Sequence, residues 1–203
     1  MMRMPRVIAA VLLAASVMLP GSARAGAREE LDKGVAAWLR SDYAEALRHS
    51  RPLAEQGYAG AQFFLGVMYG NGQGVPQDHA AAVKWYRLAA EQGVAEAQYN
   101  LGIAYYNGQG VPQDYAAAVR WYRLAAELGH AGAQYILGVA YGTGEGVPQD
   151  HAAAYMWFNL AAAQGDETAA KKRDMAAKQL TAAALESAQR LSRECLARNY
   201  QNC

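Results

Sequence analysis

The side chains on which nucleophilic, metal-dependent or redox chemistry would draw are few in this 203-residue chain: four histidines, two cysteines and six serines. None of the serines opens a Ser-x-x-Lys, and neither Gly-x-Ser-x-Gly, His-Glu-x-x-His nor Gly-x-x-x-x-Gly-Lys occurs. His79 and His151 take the same place in two related segments, but Tyr115 takes it in the segment between them. Metal ligands must converge within about 2 Å of one ion, so this pair reads as no metal site. Gly72-Gln73-Gly74 lacks the preceding strand and the lysine of a phosphate-cradling loop, and reads as a turn. No catalytic residue, metal or cofactor is expected; the chemistry left to the chain is recognition by its aromatic and aliphatic side chains.

Those side chains recur in step. Trp85, Trp121 and Trp157 stand 36 residues apart. The same step relates Leu65, Leu101 and Leu137, the glycines that follow them, Pro76, Pro112 and Pro148, and the closing Gly93, Gly129 and Gly165. A period of this size marks a stacked array in which each unit touches chiefly its neighbours. Three full units are read, at 58–93, 94–129 and 130–165.

Each unit spells helix, glycine turn, helix. In the second, Glu96 to Tyr106 has helical spacing and Asn107-Gly108-Gln109-Gly110 breaks it. A further helix is expected from Val111-Pro112-Gln113-Asp114 through Trp121 to Gly129, with the aspartate placed to cap it. On a wheel centred on Leu65, Ala61, Gln62 and Tyr69 share the core direction. Gly66 and its equivalents lack a side chain at the edge of that stripe, which lets a neighbouring helix approach. The tryptophans, with Leu88, Leu124 and Leu160, give the second helices a matching core stripe. Phe63, Val67 and Gly70 lie about 140° to 160° away from it, and their equivalents are Tyr99, Ile103 and Tyr106, then Tyr135, Val139 and Gly142. The first helices therefore carry a second apolar stripe.

Residues 1–25 read as an address. Arg3 and Arg6 precede the apolar run Val7–Leu19, and Ala23-Arg24-Ala25 follows as a small-x-small cleavage signal. Thirteen apolar residues fall short of the ~20 that span a bilayer. The mature chain is expected to begin at Gly26, in the periplasm or outside the cell, without stable membrane insertion. Loss of Arg3, Arg6 and Arg24 from the 19 basic residues leaves them two fewer than the 18 acidic ones. That balance offers no basic field for nucleic acid. In an oxidising compartment Cys195 and Cys203, eight positions apart, are expected to form a disulfide, with free thiols or a bridge between chains as the alternatives.

The flanks read as caps. Residues 26–57 form an incomplete first unit, with Ser41-Asp42 placed to start a helix from Tyr43 to about Glu55 and Pro52 placed to bend it. In residues 166–203 the repeat signature decays into charged helices that end the stack in water.

The pattern Ala-x-Ala-Gln-Tyr-x-Leu-Gly-x-x-Tyr-x-x-Gly-x-Gly-Val-Pro-Gln-Asp-Tyr-x-x-Ala-Val-x-Trp-Tyr-x-x-Ala-Ala-x-x-Gly, from Ala95 to Gly129, resembles the Sel-one-like repeat family, relatives of tetratricopeptide repeats. The resemblance implies an all-α, right-handed α/α superhelical solenoid that works as a protein-binding scaffold or adaptor, here expected to be a monomer. In such arrays the second stripe lines the concave surface. Phe63, Val67, Tyr99, Ile103, Tyr106, Tyr135 and Val139 are therefore the expected contacts for a protein or peptide partner. A β-lactamase-like hydrolase is the alternative, because a cysteine-rich branch of the family has been described so. That branch carries a cysteine pair in each repeat, whereas Cys195 and Cys203 both lie outside the repeats here.

Overall fold

A computed structural model describes residues 21–201 and 203; the Arg3, Arg6 and Val7–Leu19 features lie outside the described residues. The regular structure among them is ten α-helices without a strand. They are α1 (Gly21–Leu39), α2 (Tyr43–Glu55), α3 (Ala59–Asn71), α4 (His79–Glu91), α5 (Ala95–Asn107), α6 (Tyr115–Glu127), α7 (Ala131–Thr143), α8 (His151–Ala163), α9 (Glu167–Ala177) and α10 (Ala182–Ala197). The chain divides into two compact units at the middle of α5. The first runs to Leu101 and takes in Gln109–Val111; the second holds Gly102–Gly108 and Pro112–Cys203.

The turn chemistry decides where the second helices start. Asp114 accepts from Ala117 N at 2.8 Å and its own N–H donates to Tyr105 O at 2.9 Å. Gln113 Nε2 donates to Tyr106 O at 2.8 Å. The Gln-Asp pair thus clamps the end of α5 and caps α6 together, so α6 begins at Tyr115 and not at Val111. Gln77 and Asp78 make the equivalent bonds ahead of α4, and Gln149 and Asp150 ahead of α8.

In the first unit α3 is buried from Ala59 through Met68. Phe64, Leu65 and Met68 pack with Ala37, Ala46 and Leu53 of α1 and α2, and the Trp38 and Phe64 rings meet edge to face at 6.2 Å. On the other side the Phe63 ring lies 6.0 Å from that of Tyr86 in α4. Both apolar stripes of α3 are therefore covered. Phe63 and Val67, 4% and 8% exposed, are core residues and not part of an open concave face.

The repeated glycine makes room for a ring. A Cβ at Gly66 would sit 2.5 Å from the Tyr86 ring, one at Gly102 2.5 Å from Tyr122, and one at Gly138 2.5 Å from Phe158. Each hollow thus receives the aromatic residue after the tryptophan, on the second helix of its own repeat. Trp157 is fully buried, while Trp85 and Trp121 are half-buried. The matching leucine stripe holds at one position only: Leu160 is buried, whereas Leu88 and Leu124 are exposed. In the second unit α9 and α10 both pack on α8, where Ala169, Ala176 and Ala188 join Ala154, Tyr155, Phe158 and Ala161 in one core cluster.

Helix α1 starts at Gly21 and runs through the expected cleavage site after Ala25. Ala25 and Gly26 are exposed, and Ala27 is the first buried residue after them. At the other end, Cys195 and Cys203 are joined with Cα atoms 5.4 Å apart, a separation that a disulfide spans. Asn199 and Tyr200 take positive φ as the tail turns back, and a Cβ at Gly129 would meet the Tyr200 ring at 3.1 Å.

Candidate functional site

The second unit carries an apolar cleft with a polar rim. Tyr106, Tyr115, Tyr122, Ile136, Val139 and Glu145 line it, with Val119 and Ala140. Helix α5 brings Tyr106, α6 brings Tyr115 and Tyr122, and α7 brings Ile136 and Val139. Glu145 comes from the turn after α7. That turn is seated on the start of α6: at Gly146, φ +74°, a Cβ would lie 2.5 Å from Tyr115 O, so only a glycine lets the two backbones approach this closely. The approach sets Glu145 beside the two outer tyrosines.

The Tyr106 and Tyr115 rings meet edge to face with centroids 5.1 Å apart. Tyr106 OH donates to Glu145 Oε2 at 3.0 Å, and Gln113 Nε2 donates to Tyr115 OH at 3.1 Å. Donating that hydrogen bond to Glu145 and standing beside its carboxylate raise the Tyr106 phenol above its ordinary pKa. Tyr106 and Tyr115 are 38% and 37% exposed, whereas Tyr122 is buried beneath them. The arrangement is a ring-walled recess with one carboxylate at its lip.

Of the residues expected from the sequence, Tyr106 and Val139 line this cleft. Tyr135 is half-buried with its ring 5.7 Å from Phe158, and so serves the packing of the second unit. Ile103 is half-buried in the second unit, and Tyr99 half-buried in the first. Tyr115, Tyr122, Ile136 and Glu145 are additions. For Tyr115 and Glu145, as for Tyr106, the signal is a break in the 36-residue pattern: Gly70, Tyr106, Gly142; His79, Tyr115, His151; Gln73, Gln109, Glu145. These three departures from the pattern meet in one cleft.

Among the described residues no three or more His, Cys, Asp and Glu side chains are grouped to hold a metal ion. No helix among them is long and apolar enough to cross a membrane.

Helical hairpins repeated at one step, each ring of a second helix seated in a glycine hollow of its first, define an α/α repeat protein. The Sel1 repeat model matches residues 24–58, 59–94, 95–130 and 131–166, and the chain belongs to the Sel1 repeat family. The first match covers the segment read from the sequence as an incomplete unit.

Among solved structures the chain is similar to c5321, a protective antigen present in uropathogenic Escherichia coli strains displaying an SLR fold (42% identity, TM-score 0.68), over 70% of this chain and 32% of the antigen. It is also similar to a Sel1 repeat protein from Oxalobacter formigenes (36% identity, TM-score 0.65), over 69% of this chain and 56% of that one. The chain thus spans about a third of the first protein and just over half of the second. Cysteine rich protein B of Helicobacter pylori, at 23% identity and TM-score 0.52, covers 64% of this chain and 93% of its own and shares the fold. The fold is accordingly an all-α, right-handed α/α solenoid of helix-turn-helix repeats. Comparison with the curated proteins yields no match.

Proposed function

We propose that the protein is an exported scaffold, periplasmic or secreted, that binds a protein or peptide through the face of its first helices, with the Tyr106 cleft as the anchoring point. The observation that carries this reading is the cleft itself: two exposed tyrosines over a buried third, walled by Ile136 and Val139. Rings with a polar tip at the mouth of an apolar recess are favoured interface anchors, and truncating a well-placed one costs about 2 kcal/mol or more of binding. The family membership supports a scaffold over the β-lactamase-like alternative, as does the confinement of Cys195 and Cys203 to the last helix and tail.

The test is photocrosslinking in the native envelope from a probe at position 106, with a probe at the exposed Arg120 of α6 as control. A discrete adduct from position 106 alone is expected. Its loss when Tyr115→Ala is added to the probe-bearing chain, at an unchanged melting temperature, supports the reading. Equal adducts from both probes, or an undiminished adduct with Tyr115→Ala, overturn it. Turnover of a chromogenic β-lactam by the purified protein would revive the hydrolase.

A further inference from the structure

We propose that the cleft takes an arginine side chain of the bound protein segment. This rests on the scaffold reading above and adds the chemistry of the anchor. Glu145 has no ion-pair partner among the described residues. Its Oε2 accepts from Tyr106, and a carboxylate has lone pairs to spare for further donors. The carboxylate stands at the lip of a recess whose walls are the faces and edges of tyrosines, where a cation is attracted by the ring quadrupole. A guanidinium fits both demands: it is planar enough to stack on a ring, weakly hydrated, and presents paired donors to a carboxylate. The same unit already uses that chemistry internally, for the Arg123 guanidinium lies 5.8 Å from the Tyr141 ring centroid and donates to the Tyr141 hydroxyl.

The breaks in the repeat point the same way. Gln73 and Gln109 show that the turn tolerates a neutral amide, and Gly70 and Gly142 that α5 needs no ring at position 106 for its helix to form. A carboxylate and two added rings in one cleft are thus additions to a scaffold that the other repeats build without them.

Reversion to the residue of a neighbouring repeat supplies variants that fold. The purified protein is titrated with N-acetyl-arginine methylamide, its lysine counterpart, the neutral citrulline counterpart and tetramethylammonium, with the ring resonances of Tyr106 and Tyr115 as the readout. Saturable shifts with the arginine compound, weaker ones with lysine and none with citrulline are expected. Glu145→Gln is expected to weaken arginine binding by at least about tenfold, the loss of one charge-assisted pairing, at an unchanged melting temperature. Citrulline binding as well as arginine, or Glu145→Gln binding as the parent does, overturns the proposal. Tightest binding of tetramethylammonium also overturns it, by making the cleft a site for a small quaternary amine. If Glu145→Gln keeps the position-106 adduct that Tyr115→Ala loses, the scaffold reading stands and the arginine anchor falls.

Discussion

At the residue scale, one methyl group tests the packing. Gly102→Ala gains helix propensity of up to about 1 kcal/mol, but its Cβ would lie 2.5 Å from the ring of the buried Tyr122. Overpacking of this kind costs about 1 to 3 kcal/mol, so a lower urea midpoint with unchanged helical signal is expected. A midpoint at or above the parent's would show the hollow to be soft. His130 offers a second test. It is the N-cap of α7, with Nδ1 accepting from Ala133 N at 3.1 Å, and burial pushes its pKa down to about 4 from 6.5. Below pH 6.5 the unfolded chain binds a proton that the folded one refuses. Stability is therefore full above 6.5 and declines as the pH falls towards 4, by roughly 2 to 4 kcal/mol in all. Urea unfolding of His130→Asn, which keeps a capping acceptor, is expected to lose this share of the acid sensitivity; an unchanged pH profile would assign it elsewhere. The sequence showed that Gly102 stands at a close approach, yet it did not show what approaches. The wheel describes one helix, whereas the ring comes from another. For the same reason Phe63 and Val67 looked like a free stripe until α4 was in place. Tyr106 remained legible because nothing in its own unit covers it fully.

At the element scale the helices were legible through their punctuation, and their starts less so. Val-Pro-Gln-Asp contains both a proline that suits a first helical turn and an aspartate that suits a cap. Only the bonds from Gln113 to Tyr106 O and from Asp114 N to Tyr105 O show that the aspartate wins. Asp114→Ala is expected to cost about 0.5 to 2 kcal/mol in urea unfolding, and Asp114→Ser to restore most of it. Equal losses in the two variants would mean that capping is not the aspartate's contribution. The last element was legible from Cys195 and Cys203, but the seating of Tyr200 beside Gly129 was not, since contact between residues so far apart in the chain leaves no trace in local spacing. In the chain-entropy description the short disulfide loop contributes about 2 to 3 kcal/mol, all of it local to α10 and the tail. Reduction is therefore expected to speed amide exchange from Arg193 onward and to leave α6 and α7 protected. Exchange that rises throughout the second unit would show the tail to be structurally central.

At the scale of the whole molecule, the export reading and the packing of α1 bear on each other. A signal peptidase needs an accessible, extended segment, whereas Ala23-Arg24-Ala25 lies within a helix of the folded chain. Under the export proposal, cleavage then precedes folding of this end, as it does when a chain is processed while it crosses a membrane unfolded. The position of the cut is compatible with the fold that follows. Ala25 and Gly26 are exposed, whereas Ala27 and Leu31 are buried against the first-unit core. Among the described residues, a chain beginning at Gly26 keeps every side chain of this core, and its new amino group adds a positive charge at a helix N-terminus, an unfavourable placement of about 0.3 to 1 kcal/mol at an exposed end. Cleavage two or more residues later would remove Ala27 and loosen the start of α1. The intact mass of the protein recovered from the envelope is therefore expected to match a chain starting at Gly26 and two hydrogens lighter than its reduced form, as a Cys195–Cys203 bond in an oxidising compartment requires. A membrane-bound species that retains Met1, or a soluble one with both thiols free to react, would remove the export reading. The repeat fold and its tyrosine cleft would stand in either case.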